Sequence, residues 1–464
     1  LVRSRGLGDV YMRQKKLEEL NAEFGVAILM EVQTGEVRAL VNLIKNSDST
    51  YSETNNLGIS KVYAPGSVMK LFSFMVAFEK NPNLSFDRII KTGNGLWRVH
   101  PDNEFTIRDY NWKSGGFGDL TVRRVFELSS NVGTGKIIYE LFRDNPYEYL
   151  TRIAEIGFDK KMDFGMDDED NPIITEKLSQ ISVPQMSIGY EISITPMQLI
   201  TFYNAIANNG EMLKPMFIKE IKENGQTVEK FGKKVLNPMV CSKETLVKLQ
   251  TLLIGVVENG TGQDYVKSDV VKIAGKSGTA QIYDGTAYRE NYNTTFIGYF
   301  PADNPKYTCL VWINEPQMHK SGSRAAGPVL KEIAEQIYTF DYDLHNDEFV
   351  LNDKPKGNSF PKSAKSVAGS LKSAFEAVNV TFVENNAKWV TPVISGGEIL
   401  LQPMQIQGGI IPDVRGMNAR DAVFLLQSFK LDIFIEGRGR IVKQSIAPGT
   451  RVQENQKITL TLSL

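Results

Sequence analysis

The segment Gly25-Val26-Ala27-Ile28-Leu29-Met30-Glu31-Val32 is a dense apolar run of residues that favour β-strands. The next four residues, Gln33-Thr34-Gly35-Glu36, supply a turn, and the apolar pattern resumes from Val37 to Leu43. Two strand-like runs on either side of a short turn predict a β-hairpin. This hairpin is one part of the sheet that we predict for the domain.

A second group of strands is predicted far downstream, at Val270–Tyr283, Thr294–Phe300 and Tyr307–Ile313. The residues between the two groups show helical periodicity instead. Helices are predicted at Leu71–Lys80, Thr121–Phe142, Pro196–Asn208 and Lys243–Asn259, with a closing helix at Ala326–Tyr338. Strands from both ends of the chain around a helical middle predict an α+β domain, in which helices flank one antiparallel sheet of five strands.

The composition changes after Phe340. Residues 341–408 are interpreted as a linker, because Asn352 to Ser370 is crowded with Lys, Ser, Pro, Gly and Asn. A small β-α-β-β unit is predicted over residues 409–464, where one helix has an apolar face. Its strands are predicted at Leu431–Ile435, Arg440–Ile446 and Lys457–Leu464.

The overall composition excludes several function classes. A chain of 464 residues can bury a large core and is expected to form two or three domains. A formal net charge of -1 gives no basis for nucleic-acid binding. The two cysteines and three histidines show no metal-ligand spacing, so we expect no metal site and no cofactor, and we interpret Cys241 and Cys309 as unpaired, buried thiols. The acidic run from Asp163 to Asp170 lacks the ligand alternation of a calcium loop and is interpreted as a solvated loop.

No stretch of the sequence is long and apolar enough to span a bilayer, and the best run, Leu71 to Phe78, is far too short. The chain starts at Leu1 without a signal-peptide pattern. We therefore expect residues 1–24 to be the remnant of an upstream segment.

A first candidate site lies at Ala64-Pro65-Gly66-Ser67, where a turn precedes a predicted helix. Ser67 is then placed at the helix N-terminus, where free N–H groups favour developing negative charge, and Lys70 falls on the same face. A serine hydroxyl becomes a nucleophile when a base takes its proton, and a lysine in a water-poor pocket can be that base. Alone, the pair is more often a helix cap and a surface lysine, but the apolar residues after Lys70 argue against a solvated lysine.

A second candidate is Ser129-Ser130-Asn131, which follows a helical run. If this motif belongs to the same site as Ser67, Ser129 would pass a proton between the nucleophile and a leaving amine, and Asn131 would hold an acyl amide. By itself, the motif is equally well explained as a polar junction between a helix and a loop.

The third candidate, Lys276-Ser277-Gly278-Thr279, lies inside an apolar strand, where a glycine marks the close approach of a ligand or of another backbone. An extended peptide could add to this strand, with Lys276 setting a positive potential and the Ser277 and Thr279 hydroxyls holding a terminal carboxylate. The N–H groups of Ser67 and Thr279 would form an oxyanion hole. A strand glycine such as Gly278 more often marks only a bulge, but the residues that flank it here favour a functional site.

These three motifs, in this order, are the signature of penicillin-binding proteins and serine β-lactamases. From about Phe24 to Tyr338, the chain resembles class B penicillin-binding proteins, which are peptidoglycan D,D-transpeptidases. The same resemblance extends to Ser187-Ile188-Gly189-Tyr190-Glu191, Thr195-Pro196-Met197-Gln198 and Phe296-Ile297-Gly298-Tyr299-Phe300-Pro301. The last unit, with Ile411-Pro412-Asp413-Val414 and Ala447-Pro448-Gly449-Thr450, is similar to a PASTA domain. The resemblance implies a transpeptidase domain over residues 25–340 and a PASTA domain over residues 409–464.

The resemblance also implies a function. Ser67 would form an acyl-enzyme with peptidoglycan stem peptides, and β-lactams would acylate it as substrate mimics. The implied catalytic residues are Ser67, Lys70, Ser129, Asn131 and Lys276, with Ser277, Gly278 and Thr279 binding substrate.

A single PASTA-like unit resembles the division-specific enzymes, which implies a role in septal wall synthesis. The implied partners are a lipid-linked precursor, a septal glycosyltransferase and other division proteins. The implied location is the cytoplasmic membrane, through an N-terminal anchor absent from this chain, with the catalytic domain on the periplasmic side.

Two other functions remain open at this stage. In a D,D-carboxypeptidase or a penicillin-hydrolysing enzyme, water is the acceptor; the sequence lacks the deacylating glutamate of class A β-lactamases in its expected context, which argues against hydrolysis. A β-lactam sensor or wall-anchored scaffold would have a vestigial site. The intact residues Lys70, Ser129, Asn131 and Lys276 argue against that reading.

Overall fold

The computed structural model describes residues 15–53, 55–102, 104–166, 168–223, 226–283, 288–341, 344, 364–377, 380–395, 398–453 and 456–463. Parts of the predicted N-terminal remnant and of the predicted linker, residues 1–14 and 345–363, lie outside the described residues. The chain divides into two compact units, residues 1–346 and 347–464.

An antiparallel sheet of six strands organises the first unit. Its strands are β1 (Phe24–Glu31), β2 (Val37–Lys45), β3 (Tyr51–Glu53), β4 (Ala274–Tyr283), β5 (Tyr288–Phe300) and β6 (Tyr307–Asn314). Their order is β4-β5-β6-β1-β2-β3, so that β1 pairs with β6 and Ile28 lies opposite Leu310. The predicted hairpin and the predicted sheet built from both ends of the chain are confirmed.

The prediction of five strands in this sheet was wrong by one. The additional strand is β3, whose three residues pair with the end of β2. Three residues are too few for an alternating pattern to be recognised in the sequence. The buried Tyr51 anchors β3, because its hydroxyl lies within hydrogen-bonding distance of the backbone oxygens of Leu17 (3.0 Å) and Ala22 (2.5 Å).

Eight helices of six or more residues, besides a helical segment at residues 15–20, surround the sheet in the described part of the first unit. They are α1 (Lys70–Lys80), α2 (Val122–Glu127), α3 (Asn131–Phe142), α4 (Pro146–Glu155), α5 (Ser182–Ser187), α6 (Pro196–Ala207), α7 (Lys243–Asn259) and α8 (Gly327–Phe340). Shorter helical segments lie at Leu57–Ser60, Gly66–Met69, Trp112–Ser114, Gln263–Val266 and Gly322–Ala325. Small two-stranded sheets pair Ile89–Gly93 with Gly118–Thr121, Leu96–Arg98 with Thr106–Arg108, Ile173–Ile174 with Ile192–Ser193, Met212–Leu213 with Val235–Asn237 and Glu220–Glu223 with Gln226–Lys230.

Both faces of the sheet are covered, which explains why its strands are nearly continuous apolar runs. On β1, Ile28 and Met30 belong to the main core, whereas Ala27 belongs to a second core on the opposite face. Helices α1, α6 and α7 supply the main core, and α8 closes the second one. The two cysteines, Cys241 and Cys309, are buried and form no disulfide bond.

Helix α1 lies at the centre of the main core. Each of its residues from Lys70 to Phe78 is buried, and complete burial of one large apolar side chain contributes roughly 1.5–3 kcal/mol. A helix that is apolar all round is fixed in orientation by its neighbours on every side. The backbone of its first residue, Lys70, is therefore fixed in position.

The second unit contains two successive α/β segments with the same strand arrangement. The first consists of β7 (Ser366–Val367), α9 (Ala368–Ala377), β8 (Phe382–Val383), β9 (Trp389–Ser395) and β10 (Glu398–Pro403). The second consists of α10 (Ala419–Gln427), β11 (Asp432–Gly437), β12 (Arg440–Gln444) and β13 (Lys457–Ser463). In each, the last strand pairs in parallel with the strand after the helix and antiparallel with the strand between them.

The second segment agrees with the predicted small C-terminal domain. The first segment lies where the sequence predicted a linker, and the described residues between 366 and 403 form one helix and four strands instead. The linker interpretation rested on the polar composition before Ser370. It gave no weight to the apolar runs Trp389-Val390-Thr391-Pro392-Val393-Ile394 and Ile399-Leu400-Leu401, which flank a Gly396-Gly397 hairpin signal.

Candidate active site

The turn that contains Ser67 is held in a narrow space between two backbones. Gly66 adopts φ +59°, and a Cβ there would lie 3.0 Å from the Cβ of Ala280 on β4. On the other side, Gly66 N–H donates to the backbone oxygen of Gly189 (3.2 Å), and a Cβ on Gly189 would lie 2.2 Å from Gly66 O. Glycine is required at both positions. The segment Ser187-Ile188-Gly189-Tyr190-Glu191 therefore packs closely against the Ser67 turn and fixes its position.

Ser67 lies within the short helical turn Gly66–Met69, which leads directly into α1. The residue is half-buried. The backbone N–H of Lys70 bonds back to the oxygens of Ser67 and Val68, and Tyr203 Oη donates to Val68 O at 2.8 Å. The structure therefore places Ser67 and Lys70 on consecutive turns at the start of a buried helix, as the sequence predicted.

The predicted helix Thr121–Phe142 is interrupted at the second motif. Helix α2 ends in a Schellman motif, in which Ser130 N–H bonds to Val125 O (2.9 Å) and Ser129 N–H bonds to Phe126 O (3.1 Å). This motif puts Ser129 in the left-handed region, at φ +57°, where glycine is usual and another residue costs roughly 1–2 kcal/mol. A strained serine in that position makes Ser129 a candidate functional residue.

Helix α3 begins immediately after this strained residue. Ser130 is its N-cap, and Ser130 Oγ accepts from Gly133 N–H at 2.9 Å. Asn131 is its first residue; its side-chain amide donates to Arg108 O (2.9 Å), and its Oδ1 accepts from Lys70 Nζ (2.7 Å). The end of α2 and the start of α3 thus aim Ser129 and Asn131 at Lys70.

Lys276 on β4 approaches the same point from the sheet. Its side chain is completely buried, and its Nζ donates to Ser129 Oγ (2.9 Å) and to Ser277 O (3.1 Å). Lys70 Nζ donates to Ser129 O (2.6 Å) and lies 3.1 Å from Ser129 Oγ. One serine hydroxyl therefore lies between two buried amines that come from different ends of the sequence.

Burial has a strong effect on both amines. It lowers the pKa of Lys70 to about 7, although the Asp109 carboxylate opposes this shift. Burial also lowers the pKa of Lys276 well below its ordinary value, and the charge of Lys70 lowers it further. Because two like charges disfavour each other at this separation, the pair titrates as a unit and can hold a neutral amine near pH 7.

The remaining residues of the third motif lie along β4 beside the Ser67 turn. A Cβ at Gly278 would lie 2.9 Å from Pro65 O, so the glycine permits close packing of β4 against that turn. Ser277 Oγ is 3.0 Å from Thr261 Oγ1. Thr279 Oγ1 accepts from Gly322 N–H (3.0 Å), which leaves its hydroxyl hydrogen for an acceptor such as a carboxylate.

One buried residue of this region carries no sequence signal. Asp109 is 1% exposed and accepts from Ser130 Oγ (3.0 Å to each oxygen) and from Val132 N–H (3.0 Å). It lies outside the three motifs, in a loop of unremarkable composition. Only the fold brings this carboxylate to the N-terminus of α3, where the helix dipole favours an anion.

In the described part of the acidic run from Asp163 to Asp170, the side chain of Glu169 bonds back to the backbone at the start of the loop. Glu169 is buried and accepts from the N–H groups of Met162 (2.5 Å) and Phe164 (3.1 Å). Asp167 lies outside the described residues. Across the described chain, no cluster of His, Cys, Asp and Glu residues could hold a metal ion, and no helix has the length and apolar character needed to cross a membrane.

Comparison with known proteins gives two matches to protein families. The sequence profile of the penicillin binding protein transpeptidase domain matches residues 25–335, and that of the PASTA domain matches residues 409–464. Stage V sporulation protein D of Bacillus subtilis (strain 168) is 25% identical over 469 residues, which cover 97% of this chain and 63% of that protein. The chain therefore spans less than two thirds of the length of this relative.

Two solved structures are similar to the first unit. The transpeptidase domain of penicillin-binding protein 3 from Burkholderia pseudomallei, in its apo form, has a TM-score of 0.61 and 28% identity, covering 74% of this chain and 96% of that chain. Penicillin binding protein 3 from Mycobacterium tuberculosis, complexed with aztreonam, has a TM-score of 0.61 and 24% identity, covering 72% and 77%. At the latter identity the likeness concerns the fold alone.

Proposed function

Because the chain belongs to the penicillin-binding protein transpeptidase family, we propose that it is a peptidoglycan D,D-transpeptidase that works through an acyl-enzyme on Ser67. The observation that carries this proposal is the placement of Ser129 Oγ between Lys70 Nζ and Lys276 Nζ, at 3.1 and 2.9 Å. That arrangement supplies a neutral base, a proton relay and a positive charge without a histidine.

In the first step, Ser67 Oγ attacks the carbonyl carbon between the two terminal D-alanines of a stem peptide. Neutral Lys70 accepts the hydroxyl proton, and Ser129 Oγ relays a proton to the departing amine nitrogen as the C–N bond breaks. D-Alanine leaves, and the ester on Ser67 remains. The N–H groups of Ser67 and Thr279 stabilise the oxyanion of the tetrahedral intermediate.

Substrate binding favours the protonation states that this step requires. The terminal carboxylate of the substrate binds near Lys276, with the hydroxyls of Ser277 and Thr279 as donors. An anion at this position stabilises the charge on Lys276, and a charged Lys276 keeps Lys70 neutral through repulsion. The backbone of β4 pairs with the extended peptide, and Asn131 holds the acyl amide.

In the second step, a side-chain amine of a neighbouring stem peptide attacks the ester carbonyl carbon. Lys70 and Ser129 accept its proton and return one to Ser67 Oγ as the ester bond breaks, so the enzyme is regenerated and a cross-link is formed. β-Lactams mimic the D-alanyl-D-alanine end and acylate Ser67, but the cleaved ring stays attached and release is slow.

Penicillin-binding proteins act outside the cytoplasmic membrane, and we infer the same location here, with a membrane anchor upstream of residue 25. The proposed partners are a lipid-linked precursor, a septal glycosyltransferase and other division proteins. One relative that matches almost the whole chain is named for stage V of sporulation, so wall synthesis during sporulation is a second candidate setting.

A D,D-carboxypeptidase differs from a transpeptidase only in the acceptor of the acyl group, which is water and not an amine. A sensor would be acylated by penicillin but would not turn over a stem peptide. Incubation with a donor stem pentapeptide and an acceptor peptide, followed by mass spectrometry of the products, separates them. Cross-linked dimer supports the transpeptidase, tetrapeptide alone indicates a carboxypeptidase, and unchanged donor after stable penicillin acylation indicates a sensor.

A further inference from the structure

Asp109 is a buried carboxylate that none of the three motifs contains. Its three hydrogen bonds in the described structure come from neutral donors: Ser130 Oγ bonds to both carboxylate oxygens, and Val132 N–H bonds to one of them. Both donors belong to the junction between α2 and α3, which presents Ser129 and Asn131. The contacts of Asp109 therefore restrain the segment that holds the proton relay.

Burying an anion without a cation in contact is costly, so charge at a longer distance is expected to compensate. The amines on which the Asp109 charge acts come from two elements: Lys70 on α1 and Lys136 on α3. The Asp109 charge raises the pKa of Lys70 and of Lys136, against the lowering caused by burial. Lys136 is half-buried, and its Nζ donates to the backbone oxygen of Lys91 at 2.7 Å. This neutral acceptor stabilises the charge of Lys136.

Other charged residues near this junction have partners of their own. On α2, Arg124 and Glu127 form an ion pair with each other. On the loop of Asp109 itself, the exposed Arg108 guanidinium lies over the Trp112 ring at 5.3 Å, and so does the exposed Lys113 amine at 5.6 Å. At the site itself, the Asp109 carboxylate and the amines of Lys70 and Lys276 are buried. These three groups together carry no net charge when only one of the two amines is protonated.

We propose that Asp109 is a positioning residue for acylation: its carboxylate fixes the junction that carries Ser129 and Asn131, and its negative charge makes one retained proton on the Lys70–Lys276 pair the stable state. This inference rests on the proposed function of Ser67 and Lys70. Without Asp109, Lys70 would lose its proton more readily, so the pH at which it can act as a base would fall.

The test is the pH dependence of the rate at which benzylpenicillin acylates the protein, measured for the wild type and Asp109→Asn. Asparagine keeps an oxygen that accepts from Val132 N–H and Ser130 Oγ but removes the charge. We expect the rise of the acylation rate with pH to move down by about one pH unit in the variant, because Lys70 deprotonates more easily. An unchanged midpoint, whatever the change in rate, would overturn the proposal.

Ser130→Ala is the matched control for geometry. It removes a donor to Asp109 and the cap of α3 but leaves the carboxylate charge, so acylation should slow while the midpoint stays within about 0.3 pH units of the wild type. A shift as large as that of Asp109→Asn would contradict a charge effect. Asp109→Ser serves as a second neutral variant. If both neutral variants fail to fold while Asp109→Glu folds, the role of Asp109 is structural and the proposal fails.

The wild-type measurement separates this inference from the proposed function. If benzylpenicillin does not label Ser67 in the wild type, the proposed function itself fails. If it labels Ser67 with a rate that rises with pH, and Asp109→Asn leaves the midpoint in place, only the role of Asp109 fails.

Discussion

Lys70 Nζ and Lys276 Nζ lie 3.1 and 2.9 Å from the same atom, Ser129 Oγ. The two lysines are 206 positions apart in the sequence, since Lys70 begins α1 and Lys276 lies on β4. Both are completely buried. Two ammonium groups so close to one neutral hydroxyl repel each other strongly, and the site is therefore constructed to hold one proton fewer than two lysines normally carry.

The first prediction concerns the wild-type pH profile. Lys70 accepts a proton only when it is neutral, and its pKa is lowered to about 7, so the acylation rate should rise with pH and level off above that value. Lys70→Arg should reduce the rate by about 100-fold or more at every pH, because a guanidinium does not deprotonate. A profile that is flat from about pH 5 to 9, measured with benzylpenicillin, would contradict a lysine base.

The second prediction concerns Lys276→Met. Loss of the neighbouring positive charge lets Lys70 keep its proton to a higher pH, so the midpoint of the profile should move up by about one unit. This shift is opposite in sign to the one expected for Asp109→Asn. Lys272→Met is the matched control, because Lys272 is an exposed residue that pairs with Asp303. It should leave the midpoint unchanged.

The third prediction separates stability from activity at Ser129. Because Ser129 has φ +57°, Ser129→Gly should be more stable than Ser129→Ala by about 1 kcal/mol, which corresponds to a rise in melting temperature of roughly 2 °C. Both variants lose the relay hydroxyl and should acylate at least about 100-fold more slowly than the wild type. Since both variants lack the hydroxyl, the difference between their melting temperatures measures the effect of the backbone conformation. Equal melting temperatures would show that the residue is not strained.

The fourth prediction concerns the contact between β4 and the Ser67 turn. In Gly278→Ala, the new Cβ would lie 2.9 Å from Pro65 O and 3.0 Å from Val68 Cγ1, so β4 must move away from the turn. We expect acylation to slow about tenfold and stability to fall by about 1–3 kcal/mol. Gly232→Ala is the control, because a Cβ there meets no atom within 4 Å. A wild-type acylation rate in Gly278→Ala would show that close packing at this point is dispensable.

Sequence patterns were sufficient where the chemistry is local. The Ser67–Lys70 spacing and the apolar strands of the sheet are each encoded within a few residues. The apolar surroundings of α1 also indicated correctly that Lys70 is buried. The roles of the individual site residues remain predictions, which the experiments above are designed to test.

The features that the sequence did not reveal depend on contacts between distant segments. In the sequence, nothing distinguishes Asp109 from the other aspartates. Only in the folded chain does it accept hydrogen bonds from Ser130 Oγ and Val132 N–H. The break after Leu128 was missed because a serine occupies the position where a Schellman motif normally has glycine. The folded segment 366–403 was missed because a polar stretch before it dominated the composition of the whole region.

The most direct test of the central claim is mass spectrometry of the intact protein after brief incubation with benzylpenicillin, followed by peptide mapping, with Ser67→Ala as the control. The account predicts a stable adduct of one drug molecule, located on Ser67 and absent from Ser67→Ala. An adduct on another residue, an adduct that persists in Ser67→Ala, or no adduct while the drug is consumed would contradict it.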